Sequence, residues 1–150
     1  MERSLVLLKP DALQRSLAGT IISRLEARGL RIVGLKMMWM DMDLARSHYE
    51  AHVDKAFFRG LAEFMTSRPI VAIAVEGKSA IDIVRQSMGS TDPQKADPGT
   101  IRGDWGTDIG RNLVHGSDSA DSAARELDIF FQEGELFGYE REIDRWVIET

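Results

Sequence analysis

Apolar residues along the chain fall into two periods. "SLVLLK", Ser4 to Lys9, is almost unbroken and is closed by Pro10, so it reads as a buried strand. Between Leu17 and Gly29, Ile21, Ile22 and Leu25 recur at helical spacing with Leu30 just beyond, and Gly29 supplies a stop. Leu30 to Met40 predicts a second strand. Asp41 or Asp43 can cap a helix running through "LARSHYEAHV". Ala56 to Ser67 places Phe57, Leu61, Phe64 and Met65 on one helical face, and Pro69 ends it. "IVAIAVE", Ile70 to Glu76, is continuous and β-branched, as a central strand would be. A helix over Ser79 to Met88 follows.

The period is then lost. Gly89 to Arg111 is rich in glycine, holds Pro93 and Pro98, and shows little alternation of either kind. So long an irregular stretch in a small domain is either disordered or functional. "NLVHG" reads as a short strand, and Asp118 or Ser119 can cap a last long helix through Phe131. A polar tail ends in "RWVIET". Without the minor helices the order is βαββαβ. That is the ferredoxin-like α+β arrangement, an antiparallel sheet covered by helices on one face, with the long loop before the last strand.

Length and composition narrow the class. At 150 residues the chain is expected to form one domain with its own core. A net charge of -5 speaks against a constitutive nucleic-acid coat, so nucleic acid is not an expected partner. There is no cysteine, which excludes disulfide and thiolate chemistry. "LVLL" is cut off by Lys9 and Pro10, too short for a signal segment, and no run would span a membrane, so the cytoplasm is the expected location.

Five stretches are candidates for chemistry. "EGKS", Glu76 to Ser79, looks like the end of a phosphate-binding loop, but that motif needs a glycine where Ala72 stands, so it reads as a strand-to-helix turn. "HYEAH" sets His48 and His52 one helical turn apart, a spacing that can hold zinc. The metalloprotease pattern has Glu where Tyr49 stands, and the pair reads as surface or partly packed. In "PGTIRGDWG", Asp97 and Pro98 suggest a capped helix start, with Arg102 one turn inside. Arg102 is either a solvent arginine beside Asp104 or a forked clamp for phosphate. Phe57 and Phe58 point about 100° apart on a helix. One can face the core while the other is left as a platform for a flat ligand. Finally, "RNLVHGSDS" places His115 before Gly116, which lets a ligand come close. Glu126 in the next helix can fold back on one imidazole nitrogen and leave the other to attack. The competing reading is a capping turn with an incidental histidine.

"KPDALQR" (Lys9 to Arg15), "HYEAH…FFRGL", "PGTIRGDWG" and "NLVHGSDS", in this order and spacing, resemble the nucleoside diphosphate kinase family from about Glu2 to Glu149. The resemblance implies ping-pong transfer of a γ-phosphoryl group, mainly from ATP, to a nucleoside diphosphate, for synthesis of NTPs and dNTPs. It implies His115 as nucleophile through Nδ1, held by Glu126 with help from Ser117. Lys9, Arg85, Thr91, Arg102 and Asn112 match phosphate- and sugar-contacting positions, and Tyr49 matches a residue near the histidine. Phe57 matches the base-stacking position, with Leu61 and Ile109 beside it. Mg²⁺ would arrive with the nucleotide and need no cage of protein ligands. A slot without hydrogen bonds to base edges discriminates poorly, so broad base tolerance is expected. The tail "DRWVIET" resembles hexameric members, which favours a homo-hexamer over a tetramer. Ala12 stands where the family usually has Gly, and Trp105 where Phe or Tyr is usual. A phosphohistidine carrier between proteins is the main competing class, but it has no need of a base slot. An RNA-binding module is disfavoured because its aromatic strand signature is absent.

Overall fold

The computed structural model describes residues 1–149; of the tail "DRWVIET", Thr150 lies outside the described residues. Strands β1 (Glu2–Leu8), β2 (Arg31–Met38), β3 (Ile70–Gly77) and β4 (Val114–Gly116) form one sheet in the order β2-β3-β1-β4, antiparallel throughout. In the register, Val6 faces Ile73 and Leu7 faces His115. Between β1 and β2 lie α1 (Pro10–Gln14) and α2 (Ala18–Ala27). Between β2 and β3 lie α3 (Met42–His48) and α4 (Phe58–Thr66). Helices α5 (Ala80–Met88) and α6 (Ile101–Trp105) precede β4, and α7 (Ala120–Phe130) follows it. This is the ferredoxin-like α+β order read from the sequence.

The helices cover both faces of the sheet, not one. Val6, Leu8, Ile73 and Val75 pack against Ile21 and Leu25 of α2 and Val84 and Met88 of α5. On the other face, Leu5, Leu7, Ala72 and Ala74 meet Ala45 of α3, Met65 of α4, and Leu127 and Phe130 of α7. All eight residues of β3 are buried. A strand with both sides covered has no polar face to alternate with, which is why β1 and β3 read as continuous apolar runs.

Several boundaries differ from the expected ones. Helix α3 stops at His48, and a 3-10 turn occupies Glu50–His52, so His48 and His52 do not share a helical face. Asp41, not Asp43, caps α3, accepting from the Leu44 N–H at 2.8 Å. Phe57 is the residue before α4 rather than inside it. Thr100, not Asp97, caps α6, its hydroxyl accepting from the Gly103 N–H at 3.0 Å. Gly99 sits at φ +92, outside the helical region, so Pro98 cannot open α6. Ser119 caps α7, accepting from the Ser122 N–H at 3.1 Å.

Candidate active site

The end of the short strand β4 is built on a strained turn. Leu113, fully buried, has φ +74, a region that costs a non-glycine residue about 1–2 kcal/mol. The Val114 N–H donates to the Asn112 carbonyl at 2.8 Å across it, forming a γ-turn of the rare hand. The turn is held from both sides. The Leu113 N–H donates to Asp11 Oδ2 at 3.0 Å, and the Leu113 carbonyl accepts from the Lys9 N–H at 2.9 Å. Asp11 is thus a structural part of the site that sequence reasoning missed. Its only signal is its place directly after the Lys9-Pro10 strand end.

His115 lies two residues past this turn, in the wall of a cleft of about 880 Å³. Its Nε2 is 2.5 Å from Glu126 Oε1, so the carboxylate reaches back from α7. An imidazole whose Nε2–H faces a carboxylate carries its lone pair on Nδ1. Burial pushes the Glu126 carboxyl up, but His115, the Ser117 hydroxyl and His48 outweigh it and hold it below the usual range. Ser117 is fully buried behind the wall, its hydroxyl accepting from the Leu5 N–H at 3.2 Å.

Three cations from separate segments line the same cleft: Lys9, Arg85 and Arg102. Lys9 Nζ donates to Asn112 Oδ1 at 2.8 Å, and Asn112 Nδ2 donates to the Thr91 carbonyl at 3.0 Å. Burial, with Arg102 nearby, lowers the Lys9 pKa to about 8, against a smaller opposite pull from Asp11. Arg102 is no solvent arginine, since only 6% of it is exposed. It donates to the carbonyls of Asn112 (3.1 Å), Gly89 (3.1 Å) and Val114 (2.7 Å). Burial and then the charge of Arg85 lower its pKa to about 10. These three bonds fix the guanidinium plane and leave further N–H donors of its fork for an anion. Arg85 itself is exposed.

The opposite wall is aromatic. Tyr49, Phe57 and Leu61 line it, and Phe57 is 54% exposed, an open platform with His52 tilted against it at 5.4 Å. Burial and then Glu126 push the Tyr49 phenol up. Ile109 sits exposed in the bridged turn between Asp108 and Arg111, and the Arg111 guanidinium of that turn lies 4.0 Å over the Phe64 ring of α4.

Two further residues stand at the site where the sequence reading did not place them. His48, expected near the surface, is buried, with its ring edge-on to that of His115 at 4.9 Å. Burial first, then His115, lowers its pKa to about 3, so it is neutral at ordinary pH. Arg125 lines the cleft and donates to the carbonyls of Ser47 (2.6 Å) and His48 (3.2 Å), stitching α7 to the end of α3. Neither role is marked by local pattern, because both contacts cross more than sixty residues.

Known proteins share this architecture closely. A sequence model of the family described as nucleoside diphosphate kinase matches residues 2–136. The nucleoside diphosphate kinase of Carboxydothermus hydrogenoformans is 54% identical over 149 residues, covering 99% of this chain and 100% of that one. Among solved structures, a halophilic nucleoside diphosphate kinase from Halobacterium salinarum in complex with CDP superposes with a TM-score of 0.96 at 51% identity, with 99% of each chain covered. A nucleoside diphosphate kinase family protein from Babesia bovis gives a TM-score of 0.96 at 40% identity, covering 99% of this chain and 100% of that one. With the family match spanning most of the chain and relatives this similar end to end, the chain belongs to the nucleoside diphosphate kinase family.

Proposed function

We propose that the chain is a nucleoside diphosphate kinase that works by ping-pong transfer through a phosphohistidine on His115, with ATP as the main donor. The observation that carries this reading is the 2.5 Å contact between His115 Nε2 and Glu126 Oε1, which leaves Nδ1 as the nucleophilic nitrogen on a cation-lined cleft. In the first half-reaction Nδ1 attacks the γ-phosphorus, the bond to the β-phosphate oxygen breaks, and the diphosphate leaves with that electron pair. In the second half a different diphosphate attacks the phosphohistidine from the same site, and Nδ1 regains its lone pair. Glu126 stabilises the positive charge that the ring gains while phosphorylated, and Ser117 supports Glu126 from behind.

Phosphoryl transfer asks a protein mainly for positioning and charge neutralisation. Lys9, Arg85 and the free side of the Arg102 fork face the phosphates. Thr91 and Asn112 position phosphate and sugar, and Tyr49 flanks the histidine. Phe57 with Leu61 stacks the base. An open platform without base-edge donors accepts any base, and Lys9 and Asn112 bond the sugar hydroxyls, so deoxyribonucleotides are accepted with some preference for ribonucleotides. Ile109, an exposed apolar side chain, lines the same slot beside the base. The cleft suits Mg²⁺ held by phosphate oxygens and water. Its wall is cationic, Glu126 is taken by His115, and the hydroxyls of Ser122 and Ser119 depress Asp118. Bound there with the nucleotide, the ion would neutralise charge on the β- and γ-oxygens.

The chain acts as one catalytic domain over residues 1–150, in the cytoplasm. Among the described residues no helix is long and apolar enough to cross a membrane. It assembles as a homo-hexamer rather than a tetramer. Leu35, Met37 and Trp39 are exposed on or just past the edge strand β2, and Trp146 in the tail is 80% exposed, so apolar surface is left for sister chains. Light scattering should return about six chains per particle, and a monomer at micromolar concentration would overturn the assembly.

The decisive experiment uses γ-phosphate-labelled ATP with Mg²⁺ on the wild type and His115→Ala. Acid-labile, base-stable label on the wild type alone, chased by GDP into GTP, is the expected result. Equal label on the variant would refute the assignment.

A further inference from the structure

The phosphoryl-transfer reading leaves His48 without a task. It is 6% exposed, and among the described residues neither of its ring nitrogens has a hydrogen-bond partner. Its Nδ1 is 3.8 Å from Glu126 Oε1, too far for a hydrogen bond and near enough to share something with it. The same oxygen is 2.5 Å from His115 Nε2. One donor atom each from His48, His115 and Glu126 lie within 4.8 Å of one another. A buried imidazole with no partner, set beside a histidine-carboxylate pair, has a lone pair to offer to a metal ion that the pair can also ligate.

Two imidazoles and a carboxylate make a set that suits zinc with an open fourth position. The set does not suit Mg²⁺, which prefers oxygen ligands and octahedral geometry. Tetrahedral bonds of about 2.0–2.1 Å place donors about 3.3 Å apart. To hold the ion, the His115–Glu126 contact would open from 2.5 Å and the His48–Glu126 gap would close from 3.8 Å.

We propose that His48, His115 and Glu126 form a site for a first-row transition-metal ion of the Zn²⁺ class in the nucleotide-free protein, and that the filled site is inhibitory. The inhibitory half rests on His115 being the phosphoryl acceptor; the binding half does not. Metal at His115 Nε2 takes the lone pair that the ring must free there, so the ring proton moves from Nε2 to Nδ1. No proton is released from the ring, and Nδ1 becomes an N–H with nothing to attack with. The site therefore shuts down the nucleophile by switching its tautomer, without blocking the phosphate path.

The chain has only three histidines, so imidazole NMR can test this on the unmodified protein. Zn²⁺ added to nucleotide-free wild type at micromolar concentration should move the ring signals of His48 and His115 together and leave those of His52 in place. Co²⁺ should give the intense visible bands of a tetrahedral site, saturating at one ion per chain. His48→Asn should weaken that titration by about tenfold or more, as loss of a ligand or its support does at metal sites. His52→Ala should leave the affinity unchanged. No shift, or a shift of His52 alone, overturns the site, and so does Co²⁺ binding that survives His48→Asn. Should the variant fail to fold, the wild-type ring signals still decide. Joint shifts with an undiminished rate of His115 labelling would overturn the inhibition. Label persisting on His115→Ala would refute the phosphohistidine reading, an outcome the ring signals report on separately.

Discussion

Replacing Asp11 with alanine should cripple the site without touching a residue that faces the cleft chemistry. The Asp11 carboxylate accepts the N–H of Leu113, whose left-handed backbone sets up the frame for His115. A hydrogen bond to a charged acceptor contributes roughly 1.5–3 kcal/mol, and the buried N–H left behind forfeits it. Some of this is offset, since Asp11 Oδ1 is buried without a partner among the described residues. A net loss of about 2 kcal/mol follows, read as a fall in the urea midpoint of about 1 M at matched chain concentration. The turn relaxes toward ordinary backbone angles, and an ångström of misplacement costs about a hundredfold in rate. His115 labelling should therefore slow about tenfold to a hundredfold. Asp11→Asn keeps an acceptor and loses the charge, so it should retain most of the stability. Leu113→Gly relieves about 1–2 kcal/mol of strain but forfeits a fully buried side chain, a loss of about 3–5 kcal/mol, so it destabilises on balance. In the double variant the glycine no longer needs strapping, and the two losses should sum to less than their separate values. Additive losses, or an Asp11→Ala variant within about 0.5 kcal/mol of wild type with a normal labelling rate, would refute the strap.

Lys9, lowered to about 8, binds fewer protons folded than unfolded between that value and the ordinary lysine range. Its contribution to stability therefore rises with pH across that window and is lost as pH falls through about 8; chemical denaturation at several pH values should show this slope flattened in Lys9→Met. The same titration should make kcat/KM fall above about pH 8 while kcat, measured on the nucleotide complex, holds to higher pH. Glu126→Gln removes a charge-assisted bond of roughly 1.5–3 kcal/mol from His115, so labelling should slow about tenfold to a hundredfold; an unchanged rate would show that the carboxylate does not support the ring. Gly116→Ala would place Cβ 2.7 Å from Val84 Cγ1 and 2.9 Å from Met88 Cε, both in the packed core. Calorimetry should show a loss of about 1–3 kcal/mol from overpacking.

What was readable from the sequence was whatever depends on neighbours in the chain. The β3 run, the Ser119 cap and the stop at Pro69 are local signals, and the structure has them in place. The expected cap at Asp97 was a local reading too, and it was wrong. The turn around Gly99 overrides it, with the Thr100 hydroxyl donating to the Asp97 carbonyl at 2.6 Å. The coverage of both sheet faces was present in the unalternating β1 and β3, but a single-faced sheet was read instead. The places of His48, Asp11 and Arg125 at the site were unreadable for a different reason. Each acts on a segment more than seventy residues away, and nothing within a helical turn marks it. The proximity of Glu126 to His115 was one of two open readings from the residues alone, and only the resemblance favoured it.

Surface loops usually tolerate changes in length. The Gly89–Arg111 segment is pinned at intervals: Arg102 to Gly89, Asn112 and Val114, Asn112 to Thr91, Arg24 to Gly99, and Arg15 to Trp105. Each pin measures off a fixed number of residues between two anchors. An inserted residue would not bulge harmlessly into solvent; it would pull an anchor off its partner and drag Arg102 with it. Natural variation in this enzyme's length is therefore to be sought elsewhere, and an engineered tag or epitope placed in this segment would silence the protein while leaving its core folded.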